Sequence, residues 1–460
     1  MLTPASFTTY FNVAYCIGLI PSQIILTYVR PSFWLPGLEI LWGIITGLIA
    51  ITTNAKQVYV LRAFLGLFES SAWPGMITLF SMQYFPSSLP VILAAPAALA
   101  GGIPVPVPLM KPESAEADCI LCDSALAVGY MMSGALQAAI TDTLSGHRGI
   151  EGWRWLFIIN AIITVVWGFA GFFMIPDLPN RPNPRAFWFN ESHAKMSMER
   201  LSRINRAEPK RMTWAGVRRT FVSWVVYFIA ILYIATVLAT YAYNYFGLFL
   251  KSLKNPDGSA RWTVSQVNSI PIGGGAINVV FVWFWALLSD YLQTRWTLIV
   301  IQAVIGIVPC IIMSVWTRHP TSVSISAAYA SYFINYVALG TAPLIFSWLS
   351  DILPQDPEAR SLIVGVAVAG FYAVSAWSQV LVWPASEAPY YSYGWQSSLA
   401  LFILVIIMTC VLRFVDVRYL LPKRLAFRAE IHGEAENNGF NGPATKATDS
   451  ESSKSRKDDV

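Results

Sequence analysis

Charge is scarce in this chain. Asp, Glu, Lys and Arg supply 12% of its 460 residues, about half of what soluble domains carry. That composition excludes an ordinary soluble enzyme and a disordered protein. The formal net charge of +5 is too mild to mark a nucleic-acid-binding surface. Cysteine is also thin. Cys16, Cys119, Cys122, Cys310 and Cys410 do not make a disulfide framework in a chain of this length. Cys119 and Cys122 form one CxxC with neither a second pair nor a nearby His, so they read as incidental thiols rather than a zinc site. Four scattered His (147, 193, 319, 432) fall into no metal-binding spacing, and neither a phosphate-binding glycine loop nor a nucleophile elbow is present. The expectation is a protein that is not an enzyme and holds no metal or cofactor.

What the chain has in abundance is apolar and aromatic side chains. Hydrophobic residues make up 55%, with 18 Trp, 20 Tyr and 26 Phe. This is a chain solvated by lipid. A bilayer core of about 30 Å needs roughly 20 apolar helical residues. Windows of that size predict eleven spans, near 9–29, 33–53, 58–84, 120–141, 153–176, 222–249, 266–289, 296–316, 322–350, 361–383 and 396–417. Trp34, Tyr59, Trp153, Trp155, Trp262, Trp296, Trp383 and Trp395 sit at span ends, where part-polar rings anchor to the membrane surface.

Two hydrophilic blocks interrupt the spans. Residues 177–221 hold ten Lys/Arg and residues 418–460 hold eight, together 18 of the 31 basic residues. The positive-inside rule puts both in the cytoplasm, and the six spans between them agree. Five spans precede the first block, so Met1 would begin outside, with no basic segment before Phe7 to deliver it as a signal peptide would. One helix before residue 1 repairs the parity. The expected organisation is an N-terminal helical bundle over 1–176, a cytoplasmic linker over 177–221, a C-terminal helical bundle over 222–425 and a disordered tail over 426–460. Residues 86–119 disturb this plan. Val91–Met110 is apolar, but Pro96, Pro104, Pro106 and Pro108 would leave helical backbone groups unsatisfied in lipid. A non-helical cytoplasmic insertion and a retained intron both account for the segment.

With the spans placed, specific runs become informative. TYFNVAYCIGLIPSQIILTYVRPSFWLPGLEILWG (9–43) resembles the second and third helices of fungal anion:cation symporters, the allantoate and pantothenate permease group of the major facilitator superfamily. RAFLGLFESSAWPG (62–75) is similar to their fourth helix, and GWRWLFIINAIITV (152–165) with IPDLP (175–179) to the sixth and its exit. QVNSIPIGGGAINVV (266–280) and LVWPASEAPYYSYGW (381–395) resemble the eighth helix and the loop after the eleventh. The likeness covers nearly all of 8–425. It implies an all-α membrane protein of two pseudo-symmetric six-helix bundles, with the first helix absent here. It also implies a proton-coupled symporter of a small organic anion, a monomer in the plasma membrane driven by the proton gradient. The loop motif between the second and third family helices is reduced to Tyr28–Ser32.

Ionisable side chains inside a bilayer mark function by default, and here they gather in the N-terminal half: Glu39, Arg62, Glu69 and Asp123. Arg62 and Glu69 are seven residues apart, so two helical turns put them on one face, with Gly66 between them. Arg62 offers a fixed charge in a planar fork that suits a carboxylate. Glu69, taken out of water, can carry a proton. Fourth-helix Arg and Glu residues in the wider family are implicated in substrate binding and proton coupling, and R-x-x-x-G-x-x-E matches that pattern. A buried ion pair that only joins helices is the plainer alternative. Glu39 either completes this network or pairs across helices, and Asp123 caps its helix. Tyr243, Asn244 and Asn335 are expected to orient the substrate, with Tyr241, Tyr245, Tyr332, Trp377 and Gln379 as further polar or aromatic groups. Pro271 with Gly273–Gly275, and Pro74–Gly75, are either breaks in their helices or small-residue packing sites. Rival readings are an exporter of another metabolite, a membrane sensor whose 177–221 block binds partners, and an inactive paralogue.

Overall fold

The computed structural model describes residues 4–72, 75–76, 115–178, 180–187, 189–203, 213–292, 294–353 and 356–422. Most of the insertion over 86–119 and all of the tail over 426–460 lie outside them, as do Pro74 and the side chain of Asp123. The N-terminal helices are α1 (Pro4–Tyr28), α2 (Pro31–Ile49), α3 (Ala55–Glu69), α4 (Ala115–Thr143) and α5 (Gly152–Met174). The linker contributes α6 (Glu191–Arg203) and α7 (Trp214–Val222). The C-terminal helices are α8 (Trp224–Ala239), α9 (Phe246–Ser252), α10 (Val264–Leu292), α11 (Trp296–Arg318), α12 (Ile325–Val337), α13 (Thr341–Ile352), α14 (Pro357–Val382) and α15 (Gly394–Val415).

Among the described residues nine helical stretches are long and apolar enough to cross a membrane. α3 and α4 are the described parts of the other two expected spans. No strand occurs among the described residues, where pairing is limited to an isolated bridge between Lys254 and Ala260. In lipid, helix association relies on close packing rather than on apolar burial. α2 and α5 show this: an added Cβ at Gly168 would stand 2.7 Å from Ile40, and one at Gly171 would stand 3.0 Å from Pro36. The two halves meet through α1 against α14 and α4 against α10.

The turns between helices are fixed by hydrogen bonds. Asn54 and Gln57 form a capping box at the start of α3, which satisfies orphan N–H groups of the first turn. Arg154 of α5 donates to Ala50 O at 3.1 Å and Thr52 O at 3.2 Å, tying down the α2–α3 turn. At the linker end, the Asp177 carboxylate accepts from Ser32 N–H at 2.6 Å and Ser32 Oγ at 2.8 Å, capping α2. Burial pushes this carboxyl up from its ordinary value, against the lowering effect of the two Ser32 bonds and Arg30. Asp177 is 1% exposed and has φ 62°, the left-handed region that Asp and Asn tolerate best among non-glycine residues. Asp177→Ala is therefore expected to cost about 1–3 kcal/mol, because two buried donors lose their acceptor. Asp177→Asn keeps one acceptor and the backbone preference, so it should cost clearly less. Equal melting temperatures for the two variants in detergent would refute this account.

Two spans of the C-terminal half are broken, and not where the sequence pointed. α10 runs unbroken through Pro271 and Gly273–Gly275. Those glycines serve close packing: a Cβ at Gly274 would collide with the Tyr336 ring and one at Gly275 with Met131. The breaks lie between α8 and α9, a 3-10 turn over Tyr241–Tyr245, and between α12 and α13, a 3-10 turn over Ala338–Gly340. Each is held by side chains. Asn335 Nδ2 donates to Thr240 O at 2.8 Å. Trp285 Nε1 donates to Val337 O at 2.9 Å, and Thr341 Oγ1 to Gln302 Oε1 at 2.9 Å. Gly340 and Pro343 mark the second break, while the first has no glycine or proline within it; in both, a freed carbonyl is satisfied from another helix.

Trp383 and Trp395 also depart from expectation. They are 3% and 0% exposed and pack on each other at 5.5 Å, with Tyr245 stacked on Trp383 at 5.0 Å. They are core residues, not membrane-surface anchors.

Candidate functional site

The capping box sets the start of α3, and the helical period then aligns Arg62, Gly66 and Glu69 on the face toward α1. A Cβ added to Gly66 would stand 2.3 Å from the Phe11 carbonyl oxygen and 3.2 Å from Tyr15 N. The two backbones therefore touch between the two charges. Arg62 and Glu69 lie within electrostatic reach of each other, yet no direct ion pair joins them among the described residues. The buried Arg62 Nε has no protein partner. An ion pair that merely staples helices would close that gap. Here the guanidinium is left with a donor to spare.

Glu39 stands apart. It is 5% exposed on α2 and shows no interaction with Arg62, so it does not complete the pair. Pro36 and Gly43, about one turn to either side of it, pack on α5.

Glu69 instead faces phenols. Tyr15 on α1, Tyr130 on α4 and Tyr372 on α14 all lie within its electrostatic reach. Tyr15 stacks on Tyr372 at 3.8 Å, joining the two halves. Tyr130 meets Tyr243 edge-on at 6.3 Å, and Tyr243 meets Tyr336 at 5.7 Å. Tyr243 lies in the 3-10 turn between α8 and α9, a break the sequence does not announce.

Asn244 and Asn335 differ. Asn244 is exposed and its amide reaches its own turn, Tyr241 O at 3.4 Å. Asn335 is fully enclosed, and its amide N–H is committed to Thr240 O. It shapes the break that presents Tyr243. Tyr332, also fully enclosed, stacks on Phe246 at 4.7 Å and is packing. Tyr15, Tyr130, Tyr336 and Tyr372 carry no sequence signal of their own, because an isolated Tyr in an apolar span looks like any other aromatic.

At the end opposite the linker, hydrogen bonds join the two halves. Thr9 Oγ1 donates to Ala376 O at 3.0 Å, Asn12 Nδ2 to Ser375 Oγ at 3.1 Å, and Ser265 Oγ to Asp142 Oδ2 at 2.9 Å. Charged and phenolic groups gathered where two helical halves meet suit the binding of a small polar molecule.

Comparison with known proteins decides the family. Residues 121–366, more than half of the chain, match the Major Facilitator Superfamily. The MFS transporter PfmaC of Pestalotiopsis fici is 30% identical over 87% of this chain and 69% of its own length. The chain belongs to the major facilitator superfamily. A pantothenate transporter of Schizosaccharomyces pombe is 26% identical over 89% of this chain and 72% of its own. A vitamin H transporter of Saccharomyces cerevisiae is 26% identical over 59% and 45%. Among solved structures, the proton:xylose symporter XylE superposes with a TM-score of 0.60 over 90% of this chain and 86% of that one, at 13% identity, which establishes the shared fold. The chain is thus a multi-pass membrane transporter of a small molecule and not an enzyme, and its relatives include the fungal permeases its sequence resembles.

Proposed function

We propose that this facilitator is a proton-coupled symporter of a small organic anion, working as a monomer by rocking of its two halves about a central site. One observation carries the reading. Arg62 and Glu69 share the inward face of α3 without neutralising each other directly. Arg62 holds the carboxylate of the substrate, and Glu69 takes up and releases the proton. A buried pair with a spare guanidinium donor is costly to keep unless a ligand completes it. Tyr243, Asn244 and Asn335 belong to the helix-break region of this site, Asn335 as a positioning residue. Glu39 is at most a second protonatable group outside the pair. The linker over 177–221 and the tail face the cytoplasm of a cell whose plasma membrane holds the protein, with N- and C-terminal bundles over 1–176 and 222–425. Pantothenate and vitamin H transport by relatives is in keeping with a carboxylate cargo.

Glu69→Gln tests the coupling. In reconstituted vesicles one proton per anion sustains about ten-fold accumulation for each pH unit of gradient. The variant should lose that accumulation while retaining exchange of labelled for unlabelled anion. Accumulation at the level of the unmodified protein would remove Glu69 from the proton path.

A further inference from the structure

Phenols enclose Glu69 from both halves of the bundle. Tyr15 and Tyr372 stack at 3.8 Å with their planes 28° apart. Tyr130 and Tyr243 meet at 6.3 Å and 76°, and Tyr243 and Tyr336 at 5.7 Å and 54°. Tyr130 keeps 55% of its surface exposed. Its neighbours Glu69, Tyr243 and Tyr336 come from α3, the α8–α9 break and α12. A lipid-facing ring has no such company, so the free face of Tyr130 opens onto the space between the halves.

Walls of this kind select shape. Aromatic rings hold a flat partner offset-stacked or edge-on, with centroids 4.5–7 Å apart. A flexible aliphatic chain gains less from them and loses more freedom on binding. Ring faces also attract cations, but the permanently charged Arg62 guanidinium, which like Tyr130 lies within reach of Glu69, opposes a cation. We infer that the site takes a planar, conjugated carboxylate, with its carboxylate on Arg62 and its ring among Tyr130, Tyr243 and Tyr336. This rests on the anion reading above and narrows it.

The test is a matched pair of probes, 4-hydroxybenzoate and 4-hydroxycyclohexanecarboxylate, titrated into the purified full chain near neutral pH, where both are ionised. They share the carboxylate and hydroxyl and differ in flatness. The aromatic acid should bind about ten-fold more tightly, the sum of a few ring contacts. Tyr130→Leu and Tyr243→Leu should each bring the ratio close to one, while Tyr130→Phe, which keeps the ring, preserves it. The ratio is read within one preparation, so partial loss of folded protein affects both acids alike. Equal or tighter binding of the puckered acid overturns the inference, as does an unchanged ratio in both leucine variants. If only a flexible aliphatic carboxylate binds, the inference falls and the anion reading stands. If Arg62→Ala binds the aromatic acid as tightly as the unmodified chain, the anion reading falls with it.

Discussion

Arg62→Ala is expected to reduce anion uptake by about 30-fold or more. Removing one partner of a desolvated, hydrogen-bonded charge pair costs about 2–5 kcal/mol, and about 1.4 kcal/mol is a factor of ten in affinity. Here the partner that matters is the anion. Arg62 makes no direct ion pair with Glu69, and its buried Nε is unclaimed within the protein. Arg62→Lys separates charge from geometry. Lysine restores the positive charge but not the planar two-pronged fork, so its uptake should fall between the two. A purely structural role predicts a different pattern. The alanine variant would then fail to reach the membrane, and Arg62→Ala combined with Glu69→Gln, which removes both charges, would recover transport along with folding. Uptake by that double variant at the level of the unmodified chain would dismiss the binding role. Surface labelling alongside the uptake assay distinguishes a missing protein from an idle one.

The site was legible in the sequence only as far as helical period reaches. Arg62, Gly66 and Glu69 repeat at intervals that one helix face collects, and charges in an apolar span attract notice because lipid penalises them. Period says nothing about which faces meet. Glu39 shares the chemistry of Glu69, but it lies on a different helix and shows no interaction with Arg62. Asn335 looked like a ligand because it is a polar group in an apolar span. Its actual partner is Thr240 O, ninety-five residues earlier, a contact that no local pattern encodes. The phenols within reach of Glu69 come from three separate helices, α1, α4 and α14, so only the assembled fold reveals them. The fold itself was more readable. Span length, basic loops and interface Trp constrain a membrane chain strongly. Even so, proline and glycine are ambiguous signals: α10 runs through Pro271 and Gly273–Gly275, whereas the α12–α13 break holds Gly340 with Pro343 just after it. Trp383 and Trp395 were read by type as anchors and proved to be packed against each other.

Gly66→Ala, a single methyl, is expected to be as damaging as loss of Arg62, by a different route. The new Cβ would lie 2.3 Å from the Phe11 carbonyl oxygen and 3.2 Å from Tyr15 N. Both are backbone atoms, so no side chain can swing aside, and α1 must move away from α3. Overpacking of this kind costs about 1–3 kcal/mol, occasionally more. The displacement also carries Tyr15 off Tyr372, the 3.8 Å stack that joins the halves, and alters the approach of Tyr15 to Glu69. Melting temperature in detergent should drop, and uptake should fall even in protein that reaches the membrane. Gly37→Ala on α2 is the control, because a Cβ there meets nothing within 4 Å. Alanine in a helix interior is about 0.5–1 kcal/mol better than glycine, so this variant should be unchanged or slightly more stable. Matching behaviour of the two variants would show that the α1–α3 approach at Gly66 does not govern the site. Opposite behaviour would show that the face carrying Arg62 and Glu69, the proposed anion-binding and proton-carrying groups, depends on the absence of one side chain between them.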